Sequence, residues 1–151
     1  MGSEMCIRDR CSWANVPRSG SGDSVGHSTE HQTEVEPGAV AHGTTIVTAV
    51  QHGRFSDGGA SDISWATSQD SGLTWTHGSL PGVTTYVGGT YDRVSDPAVA
   101  YDAARGAWLI ASLGIIGTSG AAVMVSPSTD GGFDLAAAGD APAGVAVATA
   151  R

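Results

Sequence analysis

An all-β fold, built from two repeated four-stranded antiparallel units, is what this sequence predicts. Three observations carry the prediction. From Glu34 onward, short segments rich in Val, Ile, Thr, Trp and Ala alternate with Gly, Asp, Ser and Pro, which is the texture of many short strands. No long stretch holds helical spacing, and the Ala-rich run 136–150 is broken by Gly139, Pro142 and Gly144. Sliding the chain against itself by 60 positions lays Glu36-Pro37 on Asp96-Pro97, and Ser68, Asp70 and Gly72 on Ser128, Asp130 and Gly132. A four-stranded antiparallel unit repeated at that spacing reads as a β-propeller blade, so the expected architecture is a partial β-propeller of two blades behind an irregular leader.

The elements follow in order. Residues 1–33 are polar and without apolar periodicity, and are expected to form a leader without regular structure. Within it, Met5 to Arg10 (MCIRDR) matches the translation of a sequencing-adapter remnant, so residues 1–10 are expected to be an artefact. They also lack the apolar centre of a secretory leader. Cys6 and Cys11 lie in the same leader and read as unpaired thiols, because a disulfide across so short a loop would stabilise little. The first blade spans 34–78, with strands expected over 37–42, 44–51, 62–68 and 73–77. A linking loop, 79–95, leads to the second blade, 96–138, with strands expected over 97–102, 107–113, 121–127 and 133–137 and an irregular tail beyond. Propellers close with typically 4–8 blades, so two leave two apolar faces bare. The chain is therefore expected to be part of a larger propeller, with the missing blades of its own full-length chain as partners.

Composition excludes some functions. The chain has 151 residues, one domain's worth, and 40% of them are hydrophobic, enough for a packed core. Its seven basic residues are all Arg, and against 15 acidic ones they leave a net charge of −8. That balance argues against nucleic acid and anionic membranes, which need clustered positive charge. No apolar run approaches the roughly 20 residues of a membrane-inserted helix. His27, His31 and His42 lack the spacing of a metal site, and no cofactor is called for; calcium is the cation that a rim of carboxylates and carbonyls would suit.

Ser68-Gln69-Asp70-Ser71-Gly72-Leu73-Thr74-Trp75 reads S-x-D-x-G-x-T-W, and Ser128, Asp130 and Gly132 repeat its first half. The pattern resembles the Asp-box (BNR repeat) of sialidase-like β-propellers, over about residues 34–133. The resemblance implies that the box is structural and forms the hairpin between a blade's third and fourth strands, away from the catalytic centre. Short Asp side chains can accept hydrogen bonds from their own turn, Gly72 supplies a backbone conformation that strains other residues, and Trp75 can bury a flat surface on the sheet. Since antiparallel neighbours alternate ends, residues 52–61, 78–95, 114–120 and the segment entering Glu36 are expected to gather at the opposite rim, where ligand sites converge.

The resemblance also implies roles for residues on that rim. Arg54 matches the family's loop arginine, and either Asp57 or Asp62 matches its acid/base. The family's first substrate-gripping Arg precedes an Ile-Pro pair, whereas Val35-Glu36-Pro37 stands here, so that Arg is absent. Glu36, Asp92 and Arg93 are the remaining substrate-binding candidates. The Tyr nucleophile of sialidases, which sets them apart from two-carboxylate glycosidases, its Glu and the other two gripping arginines would lie in later blades. Arg suits such a site because its fork pairs a carboxylate bidentately. Each candidate has a structural alternative: Arg54 pairing with Asp57 or Asp62 to hold a loop, Asp57 with Gly58-Gly59 as a turn, Arg93 pairing with Asp92 or Asp96, and Glu36 capping locally. The expected function is a sialidase-like glycoside hydrolase of exo-alpha-sialidase type, acting on a glycan or glycoconjugate. Its active site would be incomplete in this chain, so the chain alone is expected to be inactive. The alternatives are a non-catalytic propeller binding a glycan or protein on the same rim, and a structural repeat protein of the cell surface. The family's habits imply a secreted or cell-surface location.

Overall fold

The computed structural model describes residues 29–132 and 146–149. All the regular structure there is strand, apart from one 3-10 turn, Thr85–Val87. The strands are β1 (Thr29–His42), β2 (Thr45–Phe55), β3 (Ala60–Ser68), β4 (Thr76–Ser79), β5 (Arg93–Asp102), β6 (Ala107–Ile116), β7 (Ser119–Ser128) and β8 (Ala146–Thr149). Every strand pairing is antiparallel. β1 pairs β2, β2 pairs β3 and β3 pairs β4; β5 pairs β6, β6 pairs β7 and β7 pairs β8. A single residue pair, Ala60 with Val94, joins β3 to β5, so the sheet divides into two four-stranded units.

The 60-residue repeat is visible in backbone detail. In β1 the register slips between Val35 and Gly38, and in β5 between Ser95 and Ala98. Glu36 and Asp96 sit inside these bulges with φ of 55° and 51°, a left-handed conformation that costs a non-glycine residue about 1–2 kcal/mol. Both are followed by Pro, whose ring has no N–H to give to the ladder. Gly38 then passes so close to β5 that a Cβ there would stand 3.1 Å from the Pro97 carbonyl oxygen.

Several boundaries differ from those read off the sequence. β1 begins at Thr29, ahead of the boundary at 34, and pairs as far as Phe55. Extension of β2 to Phe55 and of β3 back to Ala60 reduces the loop expected over 52–61 to residues 56–59. The loop expected over 114–120 is a tight hairpin at Gly117 and Thr118, because β6 and β7 pair to their ends at Ile116 and Ser119. The fourth strand of the first unit lies at Thr76–Ser79, past the Asp-box rather than inside it. The strand expected over 133–137 lies outside the described residues, whereas β8 pairs with β7 within the stretch expected to be irregular.

Alternation within strands sets the core. Val47, Ala49, Ile63 and Trp65 of the first unit meet Val94, Trp108, Ile110 and Met124 of the second. The cross-strand pairs Ala49–Trp65 and Gln51–Ile63 place these first-unit side chains on one face, since paired residues share a face. The connection 80–92 closes this core, with Leu80, Val83 and Thr84 buried. It is pinned on itself by Gly82 N–H to the Val87 carbonyl (2.7 Å) and Gly89 N–H to the Thr84 carbonyl (2.7 Å), and to β3 by the Thr84 hydroxyl donating to the Ser61 carbonyl (2.5 Å). Gly89 is required there, because a Cβ would lie 2.3 Å from the Val83 carbonyl oxygen.

Candidate functional site

The two ends of the sheet differ in chemistry. At the end where Ile46 pairs with Ser68, the first Asp-box closes on itself. The Asp70 carboxylate accepts from the Thr74 N–H (2.8 Å), the Thr74 hydroxyl (2.6 Å) and the Ser68 hydroxyl (2.8 Å), and these bonds hold its carboxyl down at about 2, the Thr74 hydroxyl most of all. Gly72 N–H donates to the Ser68 hydroxyl (2.8 Å), and Trp75 Nε1 donates back to the Gly72 carbonyl (3.1 Å). The second box repeats the core of this arrangement. Asp130 accepts from Gly132 N–H (2.8 Å) and the Ser128 hydroxyl (2.9 Å), which lower its pKa. The two boxes touch, Gln69 Nε2 donating to the Asp130 carbonyl at 3.1 Å. One expectation fails here: Trp75 remains 41% exposed, because β4 starts after it and its ring packs back over the turn.

Arg54, Asp57 and Asp62 lie at the opposite end, where Arg54 pairs with Ala60 and His52 with Asp62. Asp57 and Arg93 form a two-pronged ion pair, Nη1 to Oδ1 at 2.6 Å and Nη2 to Oδ2 at 3.1 Å. Arg93 Nη1 also donates to the Gly58 carbonyl (2.9 Å), and the guanidinium lies 4.5 Å from the centre of the Phe55 ring. Bidentate charge-assisted bonds and a cation–π contact on a residue only 7% exposed make Arg93 a clamp. It binds the first unit's rim loop to the second unit and leaves little of its fork for a substrate. The partner of Arg93 is thus Asp57, not its sequence neighbours Asp92 or Asp96. Asp92 instead accepts the Gly117 N–H (2.7 Å) and fixes the β6–β7 hairpin. Arg54 is exposed and pairs with neither Asp57 nor Asp62.

Asp62 is not on a loop but near the start of β3, 5% exposed. Burial raises its pKa to about 7, against the opposing pull of Ser79, the Ile63 amide and Ser64. Its Oδ1 accepts no hydrogen bond. By alternation it shares a face with Ser64 and with His52 directly across on β2, away from the face covered by the second unit. Glu36 stands exposed on its bulge and accepts from Gln51 Nε2, a core-facing amide 1% exposed. The repeat-equivalent Asp96 is exposed too. Among the described residues, no group of three or more His, Cys, Asp or Glu side chains comes together to hold a metal ion. His42 is instead stacked on Tyr101, ring centres 4.1 Å apart.

Sequence reasoning did not single out Gln51, Phe55, Ser64 or Ser79. Gln51 carried one signal, a long amide at a position where alternation demands an apolar residue. The other three had none, since their roles arise from contacts between distant segments.

No protein-family model matches this chain, and no curated protein matches it. Among solved structures, it is similar to an exo-beta-1,3-galactanase from Phanerochaete chrysosporium crystallised with beta-1,3-galactotriose. The identity is 16% and the TM-score 0.45, over 68% of this chain and 26% of that one. The chain thus spans about a quarter of the length of the structure it matches.

Proposed function

We propose that this chain supplies two blades of a sialidase-like Asp-box β-propeller that hydrolyses glycans, with Asp62 as proton donor. The observation that carries the reading is Asp62 itself. Its carboxyl is withdrawn from water, has a pKa near 7 and keeps one oxygen free of internal hydrogen bonds. It sits at the end of the sheet opposite both Asp-boxes. A general acid must still hold its proton near neutral pH, and burial is the usual means. Asp57 fits the role less well, because its two oxygens are already taken by Arg93. The nucleophile and the carboxylate-gripping arginines belong to further blades, so the 151-residue chain alone turns nothing over.

The test is hydrolysis of a fluorogenic sialoside by the longer protein. Asp62→Asn should lower kcat by roughly 10²–10⁴-fold, as loss of a general acid does, and remove the pH-rate limb near neutrality. Undiminished turnover in that variant would refute the assignment.

A second reading, a propeller that binds glycans without cleaving them, is favoured by two observations. Arg93 is engaged internally, and Val35, ahead of Glu36-Pro37, stands where the family places a gripping arginine. Measurable glycan binding without turnover, unaffected by Asp62→Asn, would select it.

A further inference from the structure

The repeat shows which buried side chains the architecture does not ask for. Sixty positions after Asp62 and Ser64 stand Ala122 and Met124, both buried, on β7, the counterpart of β3. The fold takes apolar side chains at these places. The first unit puts a carboxyl and a hydroxyl there instead, at a cost in desolvation. Neither Asp62 Oδ1 nor Ser64 Oγ has a hydrogen-bond partner among the described residues.

A third polar group joins them from β4. Ser79, the last residue of that strand, is the partner of Ser64 across the ladder. Its side chain therefore lies on the face of Asp62 and Ser64, diagonally beside Asp62. Among the groups that pull against the burial of Asp62, the Ser79 hydroxyl comes first, ahead of the Ile63 amide and Ser64. The place of Ser79 is set from the far end of the sheet. There the Asp-box joins β3 to β4 and closes with Thr67 opposite Thr76. A slip of one residue in that register would turn Ser79 to the other face. Gly78 guards the same register, because a Cβ there would stand 3.0 Å from the Trp65 ring.

We propose that Ser79 is the positioning residue for Asp62: its hydroxyl donates to the carboxylate and leaves Oδ1 to the substrate, and the Asp-box sets where that hydroxyl stands. Its part in turnover rests on the reading of Asp62 as proton donor; its hold on Asp62 does not. In the reaction, Asp62 passes its proton to the departing glycosidic oxygen, which keeps the electron pair of the broken C–O bond. Asp62 is left as a carboxylate, and a hydroxyl donates more strongly to that form than to the neutral one. The box, a structural turn at the opposite end, thereby acts on the chemistry.

The titration of the Asp62 carboxyl carbon, followed by NMR in the 151-residue chain, tests this. Ser79→Ala should raise the midpoint by about one pH unit, because the ionised form loses a donor. Ser79→Val and Ser79→Thr share a shape; Val should raise the midpoint as Ala does, and Thr should leave it in place. That pair carries the test should the alanine variant fail to fold. Asp70→Ala, in the box, should raise the midpoint too and add nothing once Ser79 is replaced. The other titratable and charged groups on that face are His52 directly across on β2, Glu34 beyond it on β1, Arg54 at the next pair of the same face and His77 on β4. All are kept in these variants, so the shift belongs to the hydroxyl. In the longer protein, the neutral limb of the pH-rate profile should move with the midpoint while KM stays. A midpoint unmoved by Ser79→Ala and Ser79→Val, or moved alike by Ser79→Val and Ser79→Thr, would overturn the proposal. A shifted midpoint in a protein whose turnover ignores Asp62→Asn would instead sink the proton-donor reading and leave the Ser79 contact standing.

Discussion

A carboxyl held out of water writes itself into the pH dependence of stability, and Asp62 is such a group. Its folded-state pKa, about 7, stands above the 3.8 of an ordinary aspartate. Below pH 4 both folded and unfolded chains keep the proton, and the group contributes nothing. Between pH 4 and 7 the unfolded chain sheds its proton while the folded chain keeps it, so stability falls as pH rises. Above 7 both are ionised and the loss is complete, on the order of 4 kcal/mol. Asp62→Asn should therefore flatten this decline and raise stability at pH 8, measured by urea unfolding across the pH range. An unchanged decline in the variant would assign it to another group. Asp70 has the opposite sign: its pKa is depressed to about 2, so its contribution is present above pH 4 and is lost as pH falls through 2. If Asp62 is the proton donor, one substitution stabilises the fold and removes turnover, the usual trade at a functional site.

The strands and hairpins show which parts of the sequence could be read in advance. Asp-box turns make local hydrogen bonds, between residues two to four apart, so the spelling of Ser68 to Trp75 determines them. The Glu36 and Asp96 bulges could be aligned because each precedes a Pro in the first strand of its unit. The rim could not be read the same way. Arg93 reaches Asp57 across 36 positions and two units, and nothing near Arg93 in sequence distinguishes that partner from Asp92 or Asp96. Linker residues Leu80 and Val83 look like loop residues but complete the core, since closing the gap between two sheets takes side chains from outside both. The clamp makes a prediction of its own. Arg93→Lys keeps the charge but loses the fork that holds both oxygens of Asp57 and the flat contact on Phe55. It should cost about 1–3 kcal/mol by thermal unfolding and speed amide hydrogen exchange at Phe55 and Gly58, whose N–H groups bond within the rim turn. A variant as stable as the parent would mean that the rim is held by its backbone alone.

At the scale of the whole molecule, the core lies between the two units and inside neither. Val47, Ala49, Ile63 and Trp65 are buried because Trp108, Ile110 and Met124 stand against them. Each unit alone would be one layer of sheet with an apolar face in water, and a single sheet is stable only when packed against another layer. Among the described residues, strand pairing between the units is confined to Ala60 and Val94, so side-chain packing, together with the Arg93 clamp, binds them. The two units should therefore unfold as one. Ile110→Ala removes a side chain with no exposed surface from the middle of that layer and should cost about 2–5 kcal/mol. Its effect should also cross the interface: amide protection in β2 and β3 of the first unit should drop by the same factor as in β6, roughly 30-fold or more. Protection lost in β6 alone, with β2 and β3 unchanged, would mean that the first unit stands without the second and that the shared core is not what holds it.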